Sequence, residues 1–478
     1  MNEAQVIAVD LDGTFTLTDT LHESVLTLVR NKPYFLLLLP FWLLKGIAHL
    51  KQKVAEHSEL DVTTLPYNQP LIDWLKEEKQ CGKKIILCTA ANEKIAEAVV
   101  GNFDLFDAFI ASDSKTNLKS ARKRDALQQR YGDNGYDYAG NSNDDLEVWS
   151  GVSNAIVVNA SEYVLQKASK LTSVTQVFLS ERAGIAVWLR ALRIHQWLKN
   201  LLLFVPLLSA HQISNFNSLS TLLLAFFSFS LCASSIYIVN DLLDLESDRS
   251  HPSKRFRPFA SARLSILYGV IAAPLLVAGS FILGAAVSSD FFIILFVYLF
   301  LTITYSFGLK RLVLVDCFIL ATLYTIRLIA GAAAVSVSLS FWLLSFSIFI
   351  FLSLALLKRY AELLVQSLHG KTSSQGRGYL VSDAQLLQVL GVSSGYISAL
   401  VIALYLRSET VMSLYVEPSA ISLLIPLLLF WVSWVWLKSS RGEMHDDPVV
   451  FAIKDKVSLF VATIALIVFI YASTGFDL

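Results

Sequence analysis

Two short acidic clusters have the residue types and spacing that chemistry on phosphates requires. The first, DLDGT (Asp10–Thr14), directly follows the apolar run Gln5–Val9. If that run is a strand of a parallel sheet, the two carboxylates point to the edge where ligands gather. One carboxylate would attack phosphorus and the other would act as acid and base, while Mg²⁺ neutralises the developing charge. Asp10 and Asp12 are therefore predicted to be catalytic residues and metal ligands.

The second cluster, NDLLDLESD (Asn240–Asp248), closes a long uncharged run. Helical spacing of i, i+3 and i+7 puts Asp241, Asp244 and Asp248 on one face, with Asn240 beside Asp244. Clustered carboxylates repel one another unless a cation lies among them, and Mg²⁺ between carboxylates and substrate phosphates is a common solution. We predict that the three aspartates hold Mg²⁺, that Asp241 and Asp244 are catalytic, and that Asn240 binds substrate.

Several further charged residues are predicted to bind the phosphates of a substrate. Lys254 and Arg257 in the loop HPSKRFRPF would clamp phosphates that the metal holds, although both also fit the ordinary enrichment of basic residues in cytoplasmic loops. Asp316 and Arg327 are about three helical turns apart and would share a face, with a mutual ion pair as the alternative. The other predicted substrate-binding residues are Lys199, Tyr305, Lys310 and Lys358.

The composition argues against an ordinary soluble enzyme. Of the 478 residues, 54% are hydrophobic and 16% are charged, whereas about 25% are charged in a typical soluble domain. Basic and acidic residues both number 39, which excludes a polyanion-binding surface along the whole chain. Residues 1–180 carry a net charge of −5 and residues 181–478 a net charge of +5. We therefore predict two differently built domains, 1–180 and 181–478.

The second domain is predicted to be all-α, with about nine transmembrane helices. Its uncharged runs mostly fit one crossing each of a hydrocarbon layer about 30 Å thick, and the polar break His211–Ser220 would divide the first run. Lys and Arg concentrate in the loops after the even-numbered spans, which predicts that these loops and the N-terminal half lie in the cytoplasm. The predicted spans are 198–211, 219–243, 264–285, 291–307, 312–335, 341–364, 385–406, 419–437 and 457–475.

The first domain is predicted to be α/β with a parallel sheet, because short apolar runs with turn signals alternate with helical stretches. A helical cap, residues 20–75, separates the first two strands. It contains Tyr34–Gly46, whose uninterrupted stretch of 11 uncharged residues is too short to span a bilayer. This segment is either a helix resting on the membrane surface or the buried core of the cap.

The DxDGT pattern resembles motif one of the haloacid dehalogenase superfamily, and the other motifs follow in order. Thr89, at the end of KIILCTA, resembles the motif-two hydroxyl that binds phosphoryl oxygens, and Lys119 in NLKSARK resembles the motif-three cation. YAGNSNDDL resembles motif four, with Asn141 where the family usually has an acid and Asp145 at the second acidic position.

Over residues 5–160 this resemblance implies a Rossmann-like phosphatase. It implies an aspartyl-phosphate formed on Asp10 and Mg²⁺ held by Asp10, Asp12 and Asp145. Asn141 leaves one fewer negative charge near the metal, so a non-catalytic regulatory domain is the alternative.

Residues 185–478 resemble the UbiA superfamily of membrane transferases, through NDxxDxxxD at a span end, HPxKxxRP and the nine predicted helices. Aromatic prenyltransferases of this superfamily usually carry a second motif, DxxxD, where this chain has Lys310 and Asp316. That stretch, with RIHQWLKNLLLFVPLL and DDPVVFAIKDKVS, resembles the polyprenyl-phosphate (decaprenyl-phosphate) phosphoribosyltransferase branch. Members of that branch use 5-phosphoribosyl 1-diphosphate as donor and a polyprenyl monophosphate as acceptor.

The resemblances together imply a bifunctional, Mg²⁺-dependent enzyme of the cytoplasmic membrane. It would transfer 5-phosphoribose to a polyprenyl phosphate and then remove the 5-phosphate in the N-terminal domain. The expected partners are the polyprenyl phosphate, the sugar diphosphate and the lipid bilayer, with no nucleic acid; an oligomer is compatible with the sequence. The alternatives are an aromatic prenyltransferase with an accessory phosphatase-like domain and a transferase with a regulatory N-terminal domain.

Overall fold

The computed structural model describes residues 5–179, 184–210, 212, 215–368, 370, 377–408, 415–444 and 447–475. The chain divides into two compact units: the first is Met1–Leu192 with Tyr237–Ala273, and the second is Arg193–Ile236 with Pro274–Leu478. The first unit therefore combines the predicted N-terminal domain with the predicted acidic segment Asn240–Asp248. The domain boundary between residues 180 and 181 stays a prediction.

Six strands form one sheet in the N-terminal domain: β1 (Val6–Val9), β2 (Lys84–Asn92), β3 (Ala108–Ser112), β4 (Asp137–Gly140), β5 (Asn154–Val158) and β6 (Ser173–Phe178). Their order across the sheet is β3-β2-β1-β4-β5-β6, and every neighbouring pair is parallel. β1 is thus central, and its carboxyl end lies between those of β2 and β4. The predicted α/β class with a parallel sheet is confirmed.

Three helices between β1 and β2 form the predicted cap: α1 (Thr20–Asn31), α2 (Leu39–Leu44) and α3 (Ile47–His57). The Asp19 side chain caps α1 by accepting hydrogen bonds from two backbone N–H groups of the first turn. Leu28, Phe35, Leu50 and Val54 pack together as a small core inside the cap. The cap therefore has an apolar centre of its own.

Most of the apolar segment Tyr34–Gly46 is exposed. Phe35 is buried, Leu39 and Trp42 are half-buried, and the other residues of the segment are exposed. Of the two alternatives drawn from the sequence, a buried cap core is therefore wrong for all but a few of these side chains.

Helices cover both faces of the sheet: α4 (Gln69–Gln80) and α5 (Glu93–Asn102) on one, and α6 (Ala121–Tyr131), α7 (Leu146–Trp149) and α8 (Glu162–Leu171) on the other. Successive side chains of β1 pack alternately into the two cores. Ile7 and Val9 pack with α4 and α5, whereas Val6 and Ala8 pack on the opposite face. Burial on both faces explains the nearly continuous apolar sequence of this strand.

The first predicted span, 198–211, does not form a long α-helix. After the short helix α9 (Ile185–Ala191), a 3₁₀ helix covers Ile194–Phe204 and α10 covers Val205–Ser209. Pro206 has no N–H to donate to a carbonyl of the preceding turn, and it lies in the first turn of α10, where that N–H is not needed. Residues 211, 213 and 214 of the predicted polar break lie outside the described residues.

Eight helical segments in the described part of the chain are long and apolar enough to cross a membrane, where about nine spans are predicted. In two of these segments, the 3₁₀ turns Val381–Asp383 and Pro418–Leu423 extend the helix at its N-terminal end. The segments are α11 (Phe216–Leu243), α13 (Ile266–Val287), α14 (Ser289–Phe307), α15 (Val315–Ala334), α16 (Phe341–Leu368), α17 (Ala384–Tyr405), α18 (Leu424–Ser440) and α20 (Lys456–Thr474), with the short helices α12 (Leu245–Arg249) and α19 (Pro448–Lys454) between them.

Small residues allow the apolar helices to pack closely. Ser228 and Ser280 each donate a hydrogen bond to the other's backbone carbonyl, at 2.8 and 2.7 Å, and so join α11 to α13. A Cβ atom added to Gly391 of α17 would lie 2.2 Å from the Trp436 ring of α18. Close backbone approach and serine hydrogen bonds are common between helices in membranes.

Candidate functional site

The loop after β1 presents Asp10 and Asp12 at the carboxyl edge of the sheet. Asp10 N–H donates to the Ala139 carbonyl of β4 at 2.9 Å, which extends the pairing of the two strands. Gly13 then turns the chain with φ +76°, and a Cβ atom there would lie 2.1 Å from the Asn141 amide nitrogen. The turn therefore requires glycine, and it brings the first and fourth predicted motifs into contact.

Lys123, and not Lys119, contacts the predicted nucleophile. The Lys123 Nζ atom lies 2.8 Å from Asp10 Oδ1 and 2.8 Å from the Tyr138 hydroxyl, and its side chain is only 5% exposed. Lys119 pairs instead with Asp144 at the surface. This corrects the predicted position of the motif-three cation, because Lys119 precedes α6 whereas Lys123 lies inside it.

A sequence signal for Lys123 was present. Lys123 and Leu127 are four residues apart in a helix, so they share a face, and both are buried. The buried side of α6 therefore points Lys123 towards the sheet. Burial opposes its charge, but the carboxylates of Asp10 and Asp145 outweigh burial and raise the pKa of Lys123.

Asp145 is held by hydrogen bonds on both carboxylate oxygens. Oδ2 accepts from the Asn141 N–H, the Ser142 N–H and the Ser142 hydroxyl at 2.9 to 3.0 Å, and Oδ1 accepts from the Tyr138 hydroxyl at 2.8 Å. Among the described residues, no group of three His, Cys, Asp or Glu side chains is arranged to hold a metal ion. These hydrogen bonds hold the loop after β4 in place, and the role of Asp145 as a metal ligand stays a prediction.

Burial raises the pKa of Asp10 to about 6 and that of Asp12 to about 7. For Asp10 the positive charge of Lys123 opposes this rise, and for Asp12 the neighbouring charge of Asp19 adds to it. Asp12 Oδ1 also accepts the backbone N–H of Thr20 at 2.8 Å. A carboxyl group that titrates near neutral pH suits transfer of a proton in either direction.

Thr89 lies on β2 at the same sheet edge and is fully buried. Its hydroxyl oxygen accepts the Ala91 N–H at 2.9 Å, which leaves its O–H available to donate to a phosphoryl oxygen. Sequence reasoning missed Lys51, whose Nζ donates to the Ala90 carbonyl at 2.6 Å and to Asn117 Oδ1 at 3.2 Å. A cavity of about 30 Å³ separates this lysine from the site, lined by Asp12, Asp19, Thr20, Leu21, Ser24, Lys51, Val54, Ala91, Asn92 and Ile95.

The acidic segment Asn240–Asp248 lies at the end of α11 and in α12. Arg257 Nη1 contacts Asp241 Oδ1 at 3.1 Å and Asp248 Oδ2 at 2.6 Å, so these two carboxylates lie on one face and converge on one cation. The Arg257 side chain thus contacts these two carboxylates instead of extending away from them. Burial raises the pKa of Asp248, against the charge of Arg257.

The other predicted residues of this segment are less enclosed. α11 ends at Leu243, one residue before Asp244, and α12 follows directly. Asp244 and Asn240 are half-buried, and Lys254 is exposed. The short break leaves the i→i−4 bonds of Asp244 and Asp248 in place at 2.9 and 2.8 Å, which keeps the predicted helical register.

In the second unit, Asp447 joins two of the predicted cations. Its Oδ2 lies 2.8 Å from Lys199 Nζ and 3.0 Å from Lys358 Nζ, and its Oδ1 accepts the Tyr324 hydroxyl at 3.2 Å. Burial opposes the charge of Asp447, but the two lysines hold its pKa well below the usual range. Sequence reasoning missed Asp447, although the resembling stretch DDPVVFAIKDKVS contains it.

Asp316 and Arg327 do not pair with each other. Asp316 is fully buried and contacts Arg359 and the Tyr379 hydroxyl. Arg327 donates from Nε to Asn200 Oδ1 at 2.9 Å. The predicted alternative of a mutual ion pair is therefore wrong.

Arg359 is the centre of this second cluster. Its guanidinium also contacts Glu362 at 2.6 Å and the Tyr305 hydroxyl at 3.1 Å, and Glu362 in turn contacts Arg377. The predicted residue Tyr305 thus belongs to the cluster, while Lys310 is half-buried in the 3₁₀ turn Leu309–Arg311.

Comparison with known proteins finds relatives of the whole chain and of part of it. A protein of Sinorhizobium fredii named "Uncharacterized protein y4nM" is 35% identical over 97% of this chain and 90% of its own length. The decaprenyl-phosphate phosphoribosyltransferase of Mycolicibacterium smegmatis is 37% identical over 179 residues, which cover 37% of this chain and 56% of that protein. This chain therefore spans little more than half of that relative.

A solved HAD family hydrolase from Salmonella enterica is similar at a TM-score of 0.27 and 13% identity, over 37% of this chain and 68% of that one. The UbiA prenyltransferase family matches residues 201–464, more than half of the chain. The chain belongs to the UbiA prenyltransferase family.

Proposed function

We propose that this protein is a bifunctional membrane enzyme that makes a polyprenyl-phosphoribose. Its membrane part would transfer 5-phosphoribose from 5-phosphoribosyl 1-diphosphate to a polyprenyl phosphate. Its N-terminal domain would then hydrolyse the 5-phosphate of the product. The relative named decaprenyl-phosphate phosphoribosyltransferase supports the first step, and the buried pair of Asp10 and Lys123 supports the second.

The transfer exchanges one bond at the anomeric carbon of the donor. The bond to diphosphate breaks with both electrons leaving on oxygen, and an oxygen of the lipid phosphate forms the new bond. Negative charge grows on the departing diphosphate, so preorganised positive charge nearby lowers the barrier. Arg257 and Lys254 supply such charge in the first unit, and no protein nucleophile is required.

The Lys199, Lys358 and Asp447 cluster suits a further phosphate. Two ammonium groups share one carboxylate, so the cluster carries a net positive charge when all three are ionised. A phosphate oxygen can accept hydrogen bonds from both ammonium groups. We assign a substrate phosphate to these two lysines.

The donor set at both centres consists of oxygen atoms and therefore fits Mg²⁺, which often binds one or two carboxylates together with substrate phosphates. For the transfer, Asp241 and Asp248 would hold it together with substrate phosphates, while Asp244 stays a predicted ligand. For the hydrolysis, Asp10 and Asp12 would hold it. When bound, Mg²⁺ would neutralise phosphate charge. The convergence of Asp241 and Asp248 on the Arg257 guanidinium supports this use of the acidic segment.

In the phosphatase, Asp10 would attack the phosphorus of the 5-phosphate while Asp12 donates a proton to the departing ribose oxygen. Water would then attack the aspartyl-phosphate, with Asp12 taking a proton from it, and phosphate would leave. Lys123 would balance the negative charge at Asp10, and Thr89 would donate to a phosphoryl oxygen. The raised pKa of Asp12, about 7, supports its role as acid and then base.

The loop charges favour a cytoplasmic location for both active centres. Contacts inside the first unit add support, because Glu23 of the cap pairs with Arg249 after α11. The cap and the end of α11 would then lie on the same side of the membrane, and Ile194–Ser209 would cross it in the opposite direction to α11. At about 2.0 Å per 3₁₀ residue and 1.5 Å per α residue, this segment reaches roughly 30 Å, enough for one crossing.

The observation that carries the proposal is that one chain holds two separate acidic clusters, each paired with a basic side chain: Asp10 with Lys123, and Asp241 and Asp248 with Arg257. The test uses full-length protein in lipid nanodiscs, with polyprenyl phosphate, Mg²⁺ and ribose-labelled donor. We expect label in the lipid and release of both diphosphate and phosphate. Asp241→Asn should abolish labelling, whereas Asp10→Asn should abolish only the release of phosphate.

The description of the matched family favours prenyl transfer as a second candidate, for which the sequence alternative is an aromatic acceptor. Labelled lipid product from a prenyl diphosphate and an aromatic acid, without use of the ribose donor, would support it. Asn141, in place of the usual acid, favours a regulatory N-terminal domain. In that case Asp10→Asn would leave phosphate release unchanged.

A further inference from the structure

The cap carries a continuous exposed apolar surface between α1 and α3. Leu37 is 74% exposed and Leu44 is 85% exposed, and no charged residue lies between them. A soluble domain rarely leaves so many large apolar side chains together in water. This apolar face consists of Tyr34, Leu36, Leu37, Leu38, Phe41, Leu43, Leu44 and Ile47.

The same segment is anchored to the cap by its other side. Phe35 packs in the core of the cap, and Trp42 stacks on the His57 ring with centroids 5.7 Å apart. The segment therefore has one side that holds it in place and one that is left exposed. The exposed side therefore belongs to a segment that the cap holds in a fixed position.

Ion pairs place this element beside the point where the chain leaves a candidate span. The Glu23 carboxylate of α1 binds the Arg249 guanidinium through both oxygens, at 2.5 and 3.2 Å, and both side chains are almost fully buried. Arg30, the last but one residue of α1, contacts Glu246 at 2.8 Å. α12, which contains Glu246 and Arg249, begins two residues after the end of α11. The apolar face begins four residues after Arg30, and so lies close to that exit.

We propose that the apolar face of the cap inserts into the surface of the lipid bilayer that holds the membrane part of the same chain. A bilayer fits better than a protein partner, because the candidate span α11 ends beside the cap. The six residues of α2 are too few to span the bilayer, so the face would lie in its surface. Lys32 and Lys45 flank the segment and can reach lipid phosphates.

The insertion also indicates the substrate class of the phosphatase, and this part rests on the proposed function. α1 reaches the site at Thr20, whose N–H binds Asp12, and α3 carries Lys51 beside the same cavity. A cap seated in the bilayer surface would open this site towards lipid headgroups. The substrate would be a phosphomonoester that a lipid tail holds in the membrane.

The direct test attaches an environment-sensitive fluorophore to full-length protein in nanodiscs. Cys81 is the exposed cysteine and is first replaced by serine, since Cys88, Cys232 and Cys317 are buried. The label is placed at Leu44→Cys, and Tyr163→Cys serves as the matched control. Tyr163 is 56% exposed on α8 of the same domain.

We expect a blue-shifted emission at position 44 that lipid-borne quenchers suppress, and a water-like emission without quenching at position 163. Water-like emission at both positions would overturn the proposal. A blue shift at position 44 without quenching by lipid would also overturn it, because a protein surface would then cover the face.

A second arm tests the substrate class. In Leu37→Ser/Leu44→Ser, KM for a lipid-linked phosphomonoester should rise about tenfold, while kcat/KM for ribose 5-phosphate stays within about twofold. Equal losses on both substrates would contradict a role at the membrane. If the wild type hydrolyses neither substrate, the proposed phosphatase function fails, and the fluorescence result still decides the insertion.

Discussion

Replacing Lys123 with methionine removes the one buried cation found against Asp10 in the described part of the N-terminal domain. The methionine keeps much of the side-chain volume, so the change mainly deletes the charge and the hydrogen bonds to Asp10 and Tyr138. Breaking a buried ion pair costs about 3–5 kcal/mol when the remaining charge cannot be neutralised. Asp10 can take up a proton, because its pKa is already about 6, so we expect a smaller loss of stability, roughly 1–2 kcal/mol.

The effect on hydrolysis should be larger than the effect on stability. Lys123 contacts Asp10, which receives the phosphoryl group in the proposed mechanism. Losing one preorganised donor at such a point lowers kcat by about 10²–10³-fold. The pKa of Asp10 should rise further without the lysine. Less of the nucleophile is then ionised near pH 6, so residual activity should climb more steeply between about pH 6 and 8 than in the wild type.

The assay measures phosphate release from ribose 5-phosphate by full-length protein over this pH range. Lys119→Met is the matched control, because Lys119 pairs with Asp144 where both side chains are about half exposed. We expect less than a threefold change for this variant, since exposed pairs contribute little. Diphosphate release should be unchanged in both variants. A large loss in Lys119→Met together with near-normal hydrolysis in Lys123→Met would refute the assignment.

Three further predictions concern other parts of the chain. Burial raises the pKa values of Asp10 and Asp12 above the ordinary value of 3.8, so stability of the metal-free domain should fall as pH rises from about 4 to about 7. Mg²⁺ should therefore raise the melting temperature more at pH 8 than at pH 5, and this difference should shrink in Asp10→Asn. Asp447→Asn removes the carboxylate shared by Lys199 and Lys358, and should lower transfer to polyprenyl phosphate at least tenfold while ribose 5-phosphate hydrolysis stays normal. Transfer at the wild-type rate would contradict the role of this cluster. Gly13→Ala forces a side chain into a left-handed turn and against Asn141, and should abolish phosphate release while transfer persists; normal hydrolysis would show that this turn is not needed.

Periodicity and turn signals were sufficient to predict the parallel sheet, the cap insertion and most apolar helices. A buried strand such as β1 and a span such as α13 each consist of one run of neighbouring apolar residues, so both can be predicted from a short stretch of sequence. Asp10 and Asp12 could be predicted in the same way, because they directly follow a strand. Asp241 and Asp248 were placed on one helical face by their spacing, and in the structure both contact Arg257.

Contacts between distant residues could not be read in this way. Asp447 lies 248 residues from Lys199, and neither neighbourhood indicates the other. Choosing between Lys119 and Lys123 depends on where α6 begins, and helix starts are the least certain part of a sequence reading. Apolar character alone also failed to predict the 3₁₀ geometry of Ile194–Phe204, where Asn200 and Trp197 donate to serines of α11.

The central claim, that one chain both attaches and dephosphorylates a lipid-linked phosphoribose, is tested most directly by mass spectrometry of the lipid products. Wild-type protein and Asp10→Asn are each incubated with polyprenyl phosphate, Mg²⁺ and 5-phosphoribosyl 1-diphosphate. We expect polyprenyl-phosphoribose from the wild type and its 5-phosphorylated form from Asp10→Asn. The same lipid from both proteins would contradict the phosphatase step, and lipid without ribose from either would contradict the transfer itself.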